Sequence, residues 1–227
     1  MHIYALLIPI YNEAGALPQL IKKLQKLKNN IRIIIIDDGS NDETRQILSS
    51  TNFIEVISNP HNIGKGASIN KALSKVIEKN VILMDGDSEI DIDQIPLLIR
   101  EYEKNKKEVL LGIRWNHNSK YDLNINSIGN YVINSFFNYL YGSKFCDILC
   151  CAKILKSELI KSLEIKSKRF GIEAELMGKL AKLKVDYDEK RVLYNRRSIK
   201  DGKKLKPSDG FSIVYTMTKV YFSKIGP

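Results

Sequence analysis

Long hydrophobic runs are missing from this 227-residue chain: no apolar stretch approaches the ~20 residues that cross a bilayer, so no helical span is expected within it. Cysteine is scarce. Cys146, Cys150 and Cys151 crowd one short segment with no histidine close by in sequence, which disfavours both a disulfide framework and a zinc site. Reduced thiols in the cytoplasm fit that usage. The first residues lack a basic stretch ahead of an apolar one and run into Pro9 and polar Tyr11-Asn12-Glu13, so they read as a strand rather than a signal peptide. No G-x-G-x-x-G follows that strand, which argues against a nicotinamide dehydrogenase. Internal repeats and low-complexity linkers are also absent, so one domain over residues 1–227 is expected.

What is present is an ordinary globular balance, 44% hydrophobic and 27% charged, with a net charge of +10. That charge favours anionic partners such as nucleotide diphosphates or an acidic membrane surface. Nucleic acid is not expected, because a basic face interleaved with aromatics is lacking.

Apolar strands and amphipathic helices alternate along the first half. Strands are expected at Ile3 to Ile8, Ile31 to Ile36, Ile54 to Ile57, Val81 to Met84 and Val109 to Ile113. Leu17, Leu20, Ile21, Leu24 and Leu27 mark one helical face, and Ser40-Asn41-Asp42-Glu43 has the form of a capping box opening the next helix. A further helix is expected from Gly66 to about Asn80, and one capped by Asp91 or Asp93 runs to about Lys104. This order predicts an α/β fold with a mostly parallel, Rossmann-like sheet flanked by helices. Beyond Arg114 come a polar loop, a helix rich in Tyr, Phe and Asn to Tyr141, and a helix near Glu173 to Lys184. An extended piece near Lys190 to Asn195, a basic loop from Arg196 to Lys206 and a last helix from Asp209 complete the chain.

Polar residues gather where strands end: Pro9-Ile10-Tyr11-Asn12-Glu13, Asp37-Asp38-Gly39-Ser40, Asn62-Ile63-Gly64-Lys65-Gly66 and Asp85-Gly86-Asp87. In an open α/β sheet that edge is the ligand-binding edge. Asp85 and Asp87 are spaced to share one hard divalent cation, Mg2+ or Mn2+, with Glu89 as a third oxygen.

These motifs, in this order, resemble glycosyltransferase family 2 with the GT-A fold, and within it the dolichyl- or polyprenyl-phosphate mannose and glucose synthases. The resemblance continues in Gly112-Ile113-Arg114, Ser127-Ile128-Gly129-Asn130, Asp147 to Lys153, Arg169 to Glu175, and Tyr194-Asn195-Arg196-Arg197 with Gly202-Lys203-Lys204. Departures include Asn124 where many relatives carry arginine, with Lys120 a weaker substitute, Cys150 and Ala152 for Thr and Tyr, and Gly86 for Ala, the last a mild change.

The resemblance implies an inverting, metal-dependent enzyme that moves a hexose from a GDP-mannose- or UDP-glucose-type donor to a polyprenyl or dolichyl phosphate. A glycan hydroxyl acceptor and a non-catalytic nucleotide- or membrane-binding relative are the alternatives. It places nucleoside-binding roles on Tyr11, Glu13, Asp37 and Asp38, substrate-binding roles on Pro9 and Lys65, and metal ligation on Asp85, Asp87 and Glu89. Arg197, Lys203 and Lys204 would close over the diphosphate, and Arg114 would position an acceptor phosphate. Asp147, Glu173 and Glu175 are the candidate bases for a hydroxyl acceptor, and only one of the two glutamates is expected to face the site. The implied nucleotide-binding half is residues 1–114 and the acceptor half 115–227. Peripheral contact with the cytoplasmic face of a membrane is expected through the apolar residues of the last helix, against a competing role in core packing.

Overall fold

The structure is a computed structural model that describes residues 2–115, 125–197 and 209–224, with side chains described from 127 onward in the helix that begins at 125. The sequence features at Lys120, Asn124, Lys203 and Lys204 lie outside the described residues. One seven-stranded sheet organises the chain. Its strands are β1 (Tyr4–Ile10), β2 (Ile31–Asp37), β3 (Glu55–Ser58), β4 (Asn80–Leu83), β5 (Val109–Ile113), β6 (Lys153–Lys156) and β7 (Tyr187–Arg191). They lie in the order β3-β2-β1-β4-β6-β5-β7.

Neighbouring strands are parallel except at β6, which runs antiparallel between β4 and β5. The expected parallel sheet therefore holds on the β3-β2-β1-β4 side and is interrupted by a strand that hydrophobic patterning had not marked. Two lysines, Lys153 and Lys156, bracket its Ile154-Leu155 core and break the apolar run.

Alternation along the strands divides the interior into two layers. Leu6, Ile8, Ile10, Ile33, Ile35 and Ile82 face α1 (Leu17–Leu24) and α4 (Ile95–Asn105). Ala5, Leu7, Ile34, Ile36, Val81 and Leu83 face the other layer, built from α3 (Lys65–Leu73), α5 (Ile125–Tyr141), α7 (Ile172–Lys182) and α8 (Asp209–Phe222). Two short helices, α2 (Thr44–Ser49) and α6 (Ser157–Ser162), fill connections. Because both faces of the sheet are covered, central strands read as near-continuous apolar runs.

Local chemistry changes two expected helix starts. The capping box at Ser40 does not form: helix α2 begins only at Thr44, whose N–H is taken by Asp42 Oδ1 at 3.0 Å. Ser40 instead accepts from the Asn12 N–H at 2.9 Å and donates its own N–H to Asp37 at 2.9 Å, tying the β1 and β2 ends together. Asp91 does cap, accepting the Asp93 N–H at the start of the short 3-10 turn that leads into α4. Helix α3 ends at Leu73, short of the expected Asn80, which is the first residue of β4.

Strand order places the ligand edge. The chain lays β2 and β3 on one side of β1 and returns to lay β4 on the other, so the connections diverge between β1 and β4 and leave a crevice beyond their carboxyl ends. Gly64 makes the turn into α3 at φ +96, where a β-carbon would collide with the Lys168 carbonyl oxygen. That close approach docks the 62–66 loop against the 165–168 segment. Gly64→Ala is expected to lower stability by about 2 kcal/mol, roughly 4–8 °C in Tm. An unchanged melting curve would show that the loop is free to move away.

Candidate active site at the β1–β4 crevice

The crevice is a cleft of about 400 Å³, floored by Pro9, Ile10 and the Asp85-Gly86-Asp87 turn. Glu13, Asp38, Lys65, Arg114, Glu173 and Arg197 also line it. Most of these groups are wholly or partly buried, and a buried charge must find a partner or change protonation. Who pairs with whom therefore separates the structural carboxylates from those that face ligand.

Asp37 and Asp38 divide sharply. Asp37 is fully buried, accepts Ser40 N–H on one oxygen and the Arg45 guanidinium at 3.0 Å on the other, and is not part of the cleft wall. Asp38 lines the cleft, but its carboxylate accepts the N–H groups of Ile63 and Gly64 at 2.9 Å and the Asn59 amide at 3.0 Å. It shapes the glycine loop that forms one wall.

Glu89 was expected beside Asp85 and Asp87. Its carboxylate lines the same cleft and its charge is felt by Asp87, and it also accepts the Tyr194 O–H at 2.9 Å and the Arg197 N–H at 3.0 Å. A backbone pair, Asn195 N–H to Glu89 carbonyl at 2.8 Å, fixes that geometry. Glu89 thus staples the 194–197 segment over the cleft, and Arg197 reaches across to Glu13 at 2.9 Å.

Arg114 and Asp147 satisfy each other. The guanidinium makes a two-pronged bond to the carboxylate at 2.8 and 2.9 Å, and the Arg114 N–H adds a third at 3.0 Å. Trp115 and Tyr194 rings cover the guanidinium at 4.3 and 5.3 Å. Burial alone would lower the Arg114 pKa, but the Asp147 charge and hydrogen bonds outweigh it and hold the group well above its ordinary value. Asp147 is accordingly the buried ion-pair partner of Arg114.

The two glutamates of α7 separate as their spacing requires. Glu173 lines the cleft. Glu175 is buried on the other side, accepting Lys166 and Ser167 N–H groups and Lys179 at 2.7 Å. Burial would raise the Glu175 pKa, but these donors outweigh it and keep the carboxyl low. Its work is to hold the 165–168 segment against which Gly64 packs.

Asp85 and Asp87 remain as the pair of cleft carboxylates. Asp85 meets Lys65 at 2.6 Å, while Asp87 accepts the Glu89 N–H at 3.0 Å. Burial first, then the Asp85 charge and Glu89, push the Asp87 carboxyl up to about 7. Two close carboxylates, one of them already meeting an ammonium and the other held by a single N–H, are a fitting donor set for a hard cation whose other positions go to substrate oxygens and water. No group of three His, Cys, Asp or Glu side chains is arranged to hold a metal among the described residues.

Gly86 is a tighter fit than a mild replacement of alanine, since a β-carbon there would collide with Ile10 Cγ2. Sequence reasoning gave no role to Asn62, Asn130, Arg169, Phe170, Tyr194 or Ile213, all of which line the cleft. All but Ile213 fell within motifs the sequence had marked, without an individual role.

The family model of glycosyl transferase family 2 matches residues 5–163. An uncharacterized protein of Methanocaldococcus jannaschii is 26% identical over 209 residues, covering 83% of this chain and 90% of that protein. Dodecaprenyl-phosphate galacturonate synthase of Rhizobium johnstonii is 24% identical over 172 residues, covering 71% of this chain and 50% of that protein. Undecaprenyl-phosphate 4-deoxy-4-formamido-L-arabinose transferase of Pseudomonas fluorescens is 32% identical over 114 residues, covering 46% of this chain and 33% of that protein. The chain thus spans half or less of the length of these two prenyl-phosphate relatives. Among solved structures, glucosyl-3-phosphoglycerate synthase of Mycobacterium tuberculosis, in complex with Mn2+, UDP and phosphoglyceric acid, superposes with a TM-score of 0.73 at 16% identity. The alignment covers 97% of this chain and 79% of that one and shows a shared GT-A fold.

Two outcomes follow from the pairing. Asp147→Ala strands a buried guanidinium and is expected to cost about 3–5 kcal/mol, read by chemical denaturation; a fully stable but inactive variant would instead restore Asp147 as a proton acceptor. Asp87, with its folded pKa raised above the unfolded 3.8, destabilises the metal-free fold progressively as pH rises from about 4 to about 7. Asp87→Asn should therefore stabilise metal-free protein at pH 8 by on the order of 2 kcal/mol after screening by water, read as a higher Tm, and leave the Tm unchanged at pH 4. Equal melting at both pH values would refute the strain between the two aspartates.

Proposed function

The chain belongs to glycosyl transferase family 2, and from that premise we propose that it moves a hexose from a nucleoside diphosphate to a polyprenyl phosphate, inverting the anomeric centre. The observation that carries this reading is the meeting of the β1, β2 and β4 ends around one cleft, with the Asp85–Asp87 pair in its floor and guanidinium groups on its walls. The two prenyl-phosphate relatives support the acceptor class.

Each wall has a task under this reading. Tyr11, Glu13, Asp38 and Asn62 form the end of the cleft that takes the nucleoside. Asp85 and Asp87 would hold a divalent cation, Mg2+ or Mn2+, which when bound neutralises charge on the departing diphosphate. Arg197, held at the cleft mouth by Glu89 and Glu13, meets the same phosphates. Arg114 and exposed Arg169 lie along the cleft where an acceptor phosphate would enter.

The acceptor explains why a strong base is dispensable. A prenyl phosphate oxygen, already anionic, forms the new bond to the anomeric carbon as the bond to the diphosphate oxygen breaks. The electron pair leaves on the nucleoside diphosphate, and no proton has to be removed. Attack opposite the leaving group inverts the centre.

A lipid acceptor has to be met at a bilayer, and the outer face of α5 and α8 suits that meeting. Helix α5, INSIGNYVINSFFNYLY, contains no charged residue. It exposes Ile128, Val132, Phe136 and Tyr139, while α8 beside it exposes Phe211, Tyr215 and Phe222. The inner sides of the same helices contribute Asn130 and Ile213 to the cleft. Of the apolar residues expected to meet a membrane, Ile213, Met217 and Val220 are buried in the core. Helix α8 thus combines the two roles that had been set against each other. Among the described residues no helix is long and apolar enough to cross a membrane, so contact through this face would be peripheral.

Purified protein, supplied with GDP- and UDP-sugars, Mn2+ or Mg2+ and polyprenyl phosphate, is expected to form an organic-extractable glycosyl product that EDTA abolishes. Asp87→Asn should lower its yield by about 100-fold or more; wild-type turnover by that variant, or product only in the aqueous phase, overturns the assignment. Replacing Phe211, Tyr215 and Phe222 together by Ser should release the protein from vesicles containing anionic lipid in a flotation assay, with Tm unchanged because these side chains are exposed. Undiminished flotation would place the lipid contact elsewhere.

A further inference from the structure

Lys65 is the first residue of α3, and its ammonium ends between two carboxylates from distant parts of the chain. It lies 2.6 Å from Asp85 Oδ1 and in contact with Glu173 Oε1. The surroundings leave it little freedom. Its side chain is 15% exposed and that of Glu173 12%. Beneath them Ile69, Leu83, Ile172 and Leu176 close off the interior, leaving a void of about 10 Å³, room for about one water. The backbone on either side is pinned, because Gly64 and Gly66 pack against the carbonyls of Lys168 and Ser167.

This places a fixed monovalent cation on one of the two carboxylates that would bind a divalent one. Two like charges held close together where little water enters oppose each other strongly. A bare divalent cation would meet twice that opposition from the ammonium while competing with it for the Asp85 oxygen. A nucleoside diphosphate arriving with the cation brings several negative charges and removes the opposition. Glu173 gives the ammonium somewhere to go: it is already in contact, so Lys65 can give up Asp85 without leaving its pocket.

We propose that Lys65 is a built-in counter-ion of Asp85, passed to Glu173 on loading, that makes divalent-cation binding conditional on the nucleotide. This rests on the reading of Asp85 and Asp87 as the cation site. It assigns Lys65 and Glu173 a shared positioning role, and it explains why Glu173 faces the cleft when the acceptor needs no base.

The experiment is a Mn2+ titration followed by the electron paramagnetic resonance of free Mn2+, with and without UDP or GDP, on wild type, Lys65→Met and Glu173→Gln. Thermal melting checks the fold of each. Wild type is expected to bind Mn2+ alone at least about tenfold more weakly than in the presence of nucleotide. Lys65→Met should bind Mn2+ alone about tenfold more tightly than wild type and lose most of the nucleotide enhancement. Glu173→Gln should shift the other way, because the ammonium then has Asp85 as its one carboxylate partner in the pair. Opposite signs from the two ends of one bridge are not what a simple loop anchor gives. If wild type shows nucleotide-dependent Mn2+ binding and neither variant shifts Mn2+ binding alone, or both weaken it, the counter-ion role is wrong while the cation site stands. If wild type binds no Mn2+ with either nucleotide, the cation site falls and the inference falls with it. Glu173→Gln, nearly the same shape as the native side chain, keeps the test decisive should Lys65→Met fail to fold.

Discussion

Buried charge at the open edge of the sheet is the constraint on which the rest of this structure depends. Strands β1, β2, β4 and β5 each end on or just before ionisable residues, and the helices close over them so that little water remains to solvate those groups. A carboxylate in that setting has to be met by N–H groups or by a cation. Asp37, Asp38, Asp147 and Glu175 are fully served by protein donors and so become architecture. Asp85 has one ammonium and Asp87 one N–H, and these few partners leave the pair fitted to a charge brought from outside.

The pairings also join parts of the chain that share no covalent neighbourhood. Asp38 gathers the 62–64 loop, which packs through its glycines on the 165–168 segment, which Glu175 holds from behind. Glu89 gathers the 194–197 segment, from which Arg197 reaches Glu13 on the far side. Both cleft walls are thus fixed by carboxylates bonded to distant parts of the chain. Function has been divided among acidic residues of the same type by giving most of them partners.

How far this was legible differs between fold and site. Val81 to Met84 followed by Asp85-Gly86-Asp87 signals a buried strand delivering carboxylates to an edge, because both statements are local. Strand β6 was not legible: Lys153 interrupts its apolar run, and its ammonium is buried only because β4 and β5 close around it. The capping box at Ser40 fitted the local pattern and still failed, since the β1 loop offered the Ser40 hydroxyl a donor from Asn12 and Asp42 took over the helix start. Glu89, two residues from Asp87, is bonded by Tyr194 and Arg197 from a distant segment that the local pattern could not show. Proximity in sequence gave the opportunity, and competing partners from elsewhere decided its use.

By itself the sequence determined the alternation of strands and helices, the placing of polar loops at strand ends and the family to which these motifs belong. Those features depend on period and spacing, which the backbone converts directly into faces and edges. Only the tertiary structure decided which of many acidic residues stay available. Lys65 meets Glu173 across 108 positions, and Arg197 meets Glu13 across 184. The strength of such a contact depends on distance in space and on the exclusion of water, and neither is written in the order of residues until the chain has closed on itself.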